Sequence, residues 1–174
     1  TGASGFLGKH VIQELQRLQY DIDTIGRSTS ATITADISKE IPSLSKPYDL
    51  VIHVAGKAHV VPKTAAEKQE FYDVNLTGTN NLLMALKNTP TYFVFISTVS
   101  VYGLDFGDNI SEDAPLNAVE PYGKSKMTIK DSVENCKVRD VTDRDMKGVC
   151  DIYADASPHA SASLGDIPRC ETKH

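Results

Sequence analysis

A doubly wound α/β fold built on a parallel sheet is what the 174-residue sequence predicts, on three observations. Glycines recur at Gly2, Gly5 and Gly8, directly ahead of the apolar-periodic run Val11, Ile12, Leu15 and Leu18. Two nearly continuous apolar stretches, 49–55 and 92–98, have the composition of strands buried on both faces of a parallel sheet. Between them, helical and extended patterns alternate, as consecutive strand–helix units require.

The elements follow in order. Thr1-Gly2-Ala3-Ser4-Gly5-Phe6-Leu7-Gly8 reads as a turn running into a helix over about 8–19. In such a turn one glycine allows the tight bend, a second lets backbone approach a phosphate, and a third lets helix and strand pack closely. The helix N-terminus then offers free N–H groups to an anion. Taken alone, such a segment is more often a plain structural turn than a dinucleotide site. A buried strand normally precedes it, so the sheet is expected to lack its first strand and the chain to be incomplete. Residues 21–25 alternate as a strand ending at Gly26-Arg27, and 31–36 form a second short strand. Pro42, Ser43, Ser45 and Pro47 mark loops. After strand 49–55 comes a long helix over about 65–87, then strand 92–98. Pro121, suited to a first helical position, starts a helix through about 133.

Composition narrows the class. A hydrophobic fraction of 40% and a charged fraction of 24% are those of a globular domain with a core. The net charge of −5 gives no reason to expect nucleic-acid or membrane binding, and no apolar run reaches membrane-spanning length. Cys136, Cys150 and Cys170 have neither metal-site nor redox-motif spacing, so reduced thiols, a cytoplasmic setting and no metal centre are expected.

Four patterns fall at the C-terminal ends of the predicted strands, where ligands bind in open α/β sheets. The glycine turn is the first. Val54-Ala55-Gly56 is the second: small residues that let a flat cofactor lie near the backbone, or simply a strand exit. The third, Ser97-Thr98-Val99-Ser100-Val101-Tyr102-Gly103, brings out hydroxyls that either face a ligand or satisfy their own turn. In the fourth, Tyr122-Gly123-Lys124-Ser125-Lys126, helical spacing puts Tyr122 and Lys126 on one face. Alone this is often a solvated face; its order and position within one α/β array single it out.

Together with Asn75-Leu76-Thr77-Gly78-Thr79 and Ile52-His53-Val54-Ala55-Gly56-Lys57-Ala58-His59, these residues resemble an extended short-chain dehydrogenase/reductase. Within it they are most similar to the nucleotide-sugar epimerase/dehydratase branch used in bacterial surface-polysaccharide synthesis. The resemblance covers about 1–135 and implies a Rossmann-like domain, a nucleotide-sugar substrate and a homodimer. By similarity Tyr122 is the general base and Lys126 its electrostatic partner, which also hydrogen-bonds the nicotinamide ribose. A free tyrosine ionises near pH ~10, so proton abstraction near neutrality needs that help and the positive nicotinamide ring. Thr98 matches the hydroxyl that bonds the reacting oxygen, with Ser97 one register step away. Val99 and Ser100 stand where a dehydratase would carry acid/base carboxylates, which favours an epimerase or reductase.

The implied cofactor is NAD, with NADP as the alternative. Its contacts by similarity are Gly2, Gly5, Phe6, Leu7, Gly8, Arg27, Asp36, Ile37, Val54, Ala55, Gly56, Asn75 and Lys126. Arg27 suits either a 2′-phosphate or stacking on adenine, and Asp36 is also read as a turn cap. His53, inside a buried strand, reads as a satisfied core histidine, and His59 as a loop residue. Asn75 is expected to hold backbone near the site.

After about residue 135 the likeness stops. Residues 136–141 read as a short strand, Thr142 as a helix N-cap, and Met146, Val149, Cys150 and Tyr153 as an apolar stripe. Val138 to Asp145, with Ile152-Tyr153 and 159–163, resembles the start of a GCN5-related N-acetyltransferase of the phosphinothricin type. A join near residue 136 is expected, giving a truncated NAD(P)-binding domain (1–135) and a strand–helix tail (136–174). The other reading makes the tail a divergent sixth strand. A catalytically silent dinucleotide module or inactive fragment is the alternative to the epimerase.

Overall fold

The computed structural model describes residues 1–58 and 60–135. The expectations for His59 and for the tail, 136–174, with its strand, helix start, cysteines and acetyltransferase likeness, lie outside the described residues.

The order is α1 (Phe6–Arg17), β1 (Ile25–Gly26), β2 (Ile33–Thr34), β3 (Leu50–His53), α2 (Ala65–Phe71), a π-helical turn (Tyr72–Thr77), α3 (Gly78–Ala85), β4 (Tyr92–Phe95), a 3-10 turn (Val99–Tyr102) and α4 (Pro121–Asn135). The α/β alternation is as expected, and among the described residues the strands form two parallel pairs rather than one continuous sheet. β1 pairs with β2 through Ile25↔Ile33 and Gly26↔Thr34. β3 pairs with β4 from Leu50↔Tyr92 to His53↔Phe95.

Several extents differ from the sequence reading. α1 starts at Phe6, because Gly5, extended at φ −74° and ψ 173°, is its N-cap. It ends where Gln19 turns left-handed, at φ 61°. The strand expected over 21–25 shrinks to its last residue plus Gly26. Upstream, side chains take over the pairing: Thr24 and Thr32 exchange hydroxyl–amide bonds, while Asp21 and Asp23 bind Lys46 and Tyr48. The second strand keeps only Ile33–Thr34, because at Asp36 the chain closes a turn. The strand expected over 92–98 ends at Phe95, with one further ladder bond from Ile96 N–H to the His53 carbonyl (3.3 Å).

The long helix begins where expected. Thr64 caps it, and its hydroxyl and the Glu67 carboxylate form a reciprocal capping box. It is then interrupted by the π-helical turn 72–77 before continuing as α3. Such turns widen the helix locally and often mark functional sites.

Leu50, Val51 and Ile52 are half-buried rather than enclosed, which corrects the expectation of a strand covered on both faces. The reason is the space between β1 and β3. A cleft of about 380 Å³ lies there, lined by Val11, Ile12, Leu15, Ile22, Leu50 and Ile52 among others. Thr1 stands at its head. Its α-amine donates to the Ile52 carbonyl (2.9 Å), and its own carbonyl accepts the Val54 N–H (3.3 Å), the slanted pattern of a parallel ladder. The buried core includes Phe71, Phe93, Val101 and Ile129, together with Leu82, which also lines the cleft.

Candidate active site

Among the three glycines of the first turn, packing explains two. Gly2 has φ +75°, and a Cβ there would lie 2.5 Å from the Ala55 nitrogen, so the turn presses directly on the exit of β3. A Cβ on Gly8 would collide with the Gly2 carbonyl, which holds turn and helix together. Gly5 is different: it is exposed, and a Cβ there would meet only the Gly2 oxygen at 3.3 Å. Beside it α1 begins with no side-chain cap and no acidic residue in its first turn. The first-turn N–H groups of Phe6, Leu7 and Gly8 therefore have the free donors and positive dipole end that an anion requires. Phe6 itself is 76% exposed, its ring set edge-on against His10 at 5.1 Å.

Val54 and Ala55 are half-buried at the end of β3, and Gly56 is exposed. Arg27 is exposed just past β1 and makes no hydrogen bond or ion pair among the described residues. Its charge does help hold the Asp36 carboxyl below its ordinary value, after the larger effect of the Ser38 hydroxyl bond. Asp36 accepts both the Ser38 hydroxyl (2.6 Å) and the Ser38 N–H (3.2 Å), so it does cap its own turn. Ile37 is buried against Gly78, and its carbonyl accepts the Asn81 amide (2.8 Å). These contacts place the Asp36-Ile37 loop beside α3.

Lys126 and Asn75 meet at Gly56. A Cβ on that glycine would lie 3.2 Å from both the Lys126 ammonium and Asn75 Oδ1. Lys126, only 4% exposed, donates to the Ile96 carbonyl (2.9 Å) and sits 4.4 Å above the Phe95 ring. Burial pulls its pKa down to about 8. Asn75 is delivered by the π-helical turn and is fully buried. Its Oδ1 accepts the Lys57 N–H (2.7 Å), while Nδ2 donates to the Lys57 carbonyl (3.1 Å) and to Ser125 Oγ (2.9 Å). The strand-exit backbone is thereby tied to α4.

Tyr122 is half-buried on the first turn of α4, its ring 6.2 Å from that of Phe71. Thr98 is half-buried and caps the 3-10 turn, accepting the Ser100 N–H and donating to Ser100 Oγ, both at 3.2 Å; Ser97 is exposed. α4 packs on that same turn through Gly123, whose Cβ would lie 2.5 Å from the Ser100 oxygen. The structure thus gathers Gly56, Asn75 and Lys126, sets Tyr122 and Thr98 on touching elements, and leaves Arg27 exposed after β1, in the separate β1–β2 pair.

Two residues with a part in this arrangement carried no sequence signal of their own. Ser125 lies inside the Tyr122–Lys126 motif, and Thr79 ends the Asn75-Leu76-Thr77-Gly78-Thr79 run, with no role read for either. Among the described residues no cluster of three or more His, Cys, Asp or Glu could hold a metal ion. No described helix is long and apolar enough to cross a membrane.

Residues 1–143 match the family model described as "NAD dependent epimerase/dehydratase family". The UDP-glucose 4-epimerase of Lactobacillus helveticus is 30% identical over 146 residues, covering 74% of this chain and 43% of the relative. That of Bacillus subtilis is 29% identical over 162 residues, covering 80% and 48%. Among solved structures, MoeE5 in complex with UDP-glucuronic acid and NAD superposes with a TM-score of 0.66 at 27% identity, covering 80% of this chain and 48% of that one. The chain spans about half the length of the curated relatives it matches.

Proposed function

We propose, from the premise that the chain belongs to the NAD-dependent epimerase/dehydratase family, that its described residues form the cofactor-binding and proton-handling part of an NAD-dependent nucleotide-sugar epimerase. The observation that carries this reading is the pairing of an open, uncapped helix start at Gly5 with a buried lysine at Gly56. The first fits a pyrophosphate, and the second fits a ribose hydroxyl beside a reacting centre.

The cofactor fits the residues present. The N–H groups of Phe6, Leu7 and Gly8 would hold its pyrophosphate, with Gly2 and Gly8 shaping the turn. Asp36, Ile37 and Arg27 would bound the adenosine end; NADP is the alternative there, since Arg27 is free to meet a 2′-phosphate. Val54, Ala55 and Gly56 would let the nicotinamide half lie against the strand exit. When bound, NAD supplies the hydride acceptor.

Tyr122 takes the proton from the sugar hydroxyl, and Thr98 donates a hydrogen bond to the same oxygen. Lys126 supplies positive charge for the tyrosinate and a hydrogen bond to the ribose. Its lowered pKa, from burial, leaves it cationic near neutrality yet close to its titration range. Asn75 fixes the Lys57 backbone and, through Ser125, the start of α4. Val99, 82% exposed, and Ser100 offer no acid or base where elimination would need one, which supports epimerisation over dehydration. The finer reading is a cytoplasmic, homodimeric enzyme making surface-polysaccharide precursors from a UDP-linked sugar, with neither nucleic acid nor membrane as partner.

Incubation with NAD and UDP-glucose, followed by NMR of the sugar anomeric protons, tests this. The expected product is the 4-epimer, and Tyr122→Phe lowers its rate by about 100-fold or more, the range for general acid–base catalysis. An unchanged rate in Tyr122→Phe would falsify the assigned base. NAD binding without turnover of any UDP-sugar would favour the silent dinucleotide module instead.

A further inference from the structure

His53, Asn75, Thr79, Ser125 and Lys126 are buried polar side chains, and among the described residues no buried side-chain nitrogen or oxygen lacks a partner. The hydrogen atoms in this network can be placed by elimination. Thr79 Oγ1 lies 2.6 Å from the Asn75 carbonyl oxygen, which only accepts, so the one hydroxyl hydrogen of Thr79 points there. Thr79 Oγ1 must then accept from His53 Nε2, 2.8 Å away. That makes the ring the Nε2–H tautomer and leaves Nδ1 as an acceptor. Thr1 Oγ1, 2.5 Å from Nδ1, gives its hydrogen to the ring and accepts the Ala55 N–H at 3.2 Å.

The network continues beyond the π-helical turn. The Asn75 side chain binds Ser125, whose hydroxyl donates to the Tyr122 carbonyl (2.8 Å). A series of directed hydrogen bonds therefore runs from the first residue of the glycine turn to the first turn of the tyrosine helix. His53 is its centre, and its ring also stacks 5.9 Å from Phe95, the ring beneath Lys126.

We propose that His53 is a positioning residue: held as the Nε2–H tautomer between Thr1 and Thr79, its ring sets the glycine turn in register with the helix that carries Tyr122. The proposal rests on the epimerase reading for its purpose, which is to align bound cofactor with the general base. Its geometry depends on neutrality, because a second ring proton would face the Thr1 hydroxyl instead of accepting from it. Burial keeps the ring neutral, and the Lys126 charge pushes in the same direction.

Thr79→Val separates this role from space-filling. Thr79 is bonded to His53 and to the Asn75 carbonyl but has no bond to the glycine turn. Removing its oxygen deprives Nε2–H of its acceptor, favours the other tautomer and so withdraws the acceptor of the Thr1 hydroxyl. Imidazole 15N shifts of the full chain should show Nδ1 bare and Nε2 protonated from about pH 5 to 8. Thr79→Val should speed Ala55 amide exchange and weaken NAD binding, each about tenfold, the scale of one lost hydrogen bond. Thr79→Ser should restore both. His53→Phe should match Thr79→Val, and the double variant should be no worse than either.

A ring found as Nδ1–H in the unmodified chain would overturn the proposal. So would a Thr79→Val chain with normal Ala55 exchange and a lowered melting midpoint, the signature of mere packing. The expected tautomer and Ala55 response in a chain that binds no NAD would support the positioning network and overturn the epimerase reading.

Discussion

Two basic groups around β3 titrate below their ordinary values, each chiefly through burial: His53 to about 3 and Lys126 to about 8. Their unfolded values are 6.5 and 10.5. In each interval the unfolded chain binds more protons than the folded one, so stability rises with pH through both. Acid therefore destabilises the fold well before the carboxylates protonate. For Lys126 the interval is pH 8 to 10.5, with a slope of at most about 1.4 kcal/mol per pH unit. Urea unfolding should show the midpoint rising from pH 8 to pH 10 in the unmodified chain and staying flat in Lys126→Met; equal slopes would contradict this account of the buried ammonium. At this scale the glycines, Tyr122 and Lys126 were legible because short spacing defines them. Thr79 and Ser125 were not, because their partners, His53 and Asn75, are 26 and 50 residues away in sequence. His53 was legible as a satisfied core histidine, though nothing in its strand showed which residues would satisfy it.

Elements were legible by type and less so by extent. Helices α1 and α4 start at glycine and proline signals whose backbone consequences are local. The π-helical turn that brings in Asn75 had no such signal, since Tyr72-Asp73-Val74-Asn75-Leu76-Thr77 fits ordinary helical periodicity. The shortening of β1 was equally hidden: it follows from where Lys46 and Tyr48 come to lie. The contact between α4 and the 3-10 turn offers a prediction at this scale. At Gly123 a Cβ would lie 2.5 Å from the Ser100 oxygen and 3.0 Å from the Ala118 side chain, both on the segment α4 rests against. Gly123→Ala should therefore push the helix outward, with a stability loss of about 1–3 kcal/mol, the range for overpacking. Under the proposed function it should also reduce turnover, because the displaced first turn of α4 carries Tyr122. Lys124→Ala, at an exposed neighbour, should do neither. Calorimetric melting of the two variants compares them directly, and equal midpoints would show that the contact is slack.

Over the whole molecule, two parallel strand pairs flank an apolar cleft, and the candidate site runs along the C-terminal ends of both. The α/β class was readable from alternation alone, because burial on a parallel sheet leaves a continuous apolar signature. The half-exposed face of β3 was not readable, since it depends on what stands beside the strand rather than on the strand's own residues. Cofactor binding is the property on which the proposed function rests most heavily, and Gly5 isolates it. Its Cβ would meet only the Gly2 oxygen, at 3.3 Å, where those of Gly2 and Gly8 would collide with backbone, so Gly5→Asp puts a carboxylate before the helix start with the least displacement of the packing behind it. Calorimetric titration of the full chain with NAD, beside Gly5→Asp, therefore tests the account most directly. The unmodified chain should bind NAD at submillimolar concentration, and Gly5→Asp should bind at least about tenfold more weakly with an unchanged melting midpoint. No binding by the unmodified chain at millimolar NAD, or equal affinity in the two proteins, would contradict it.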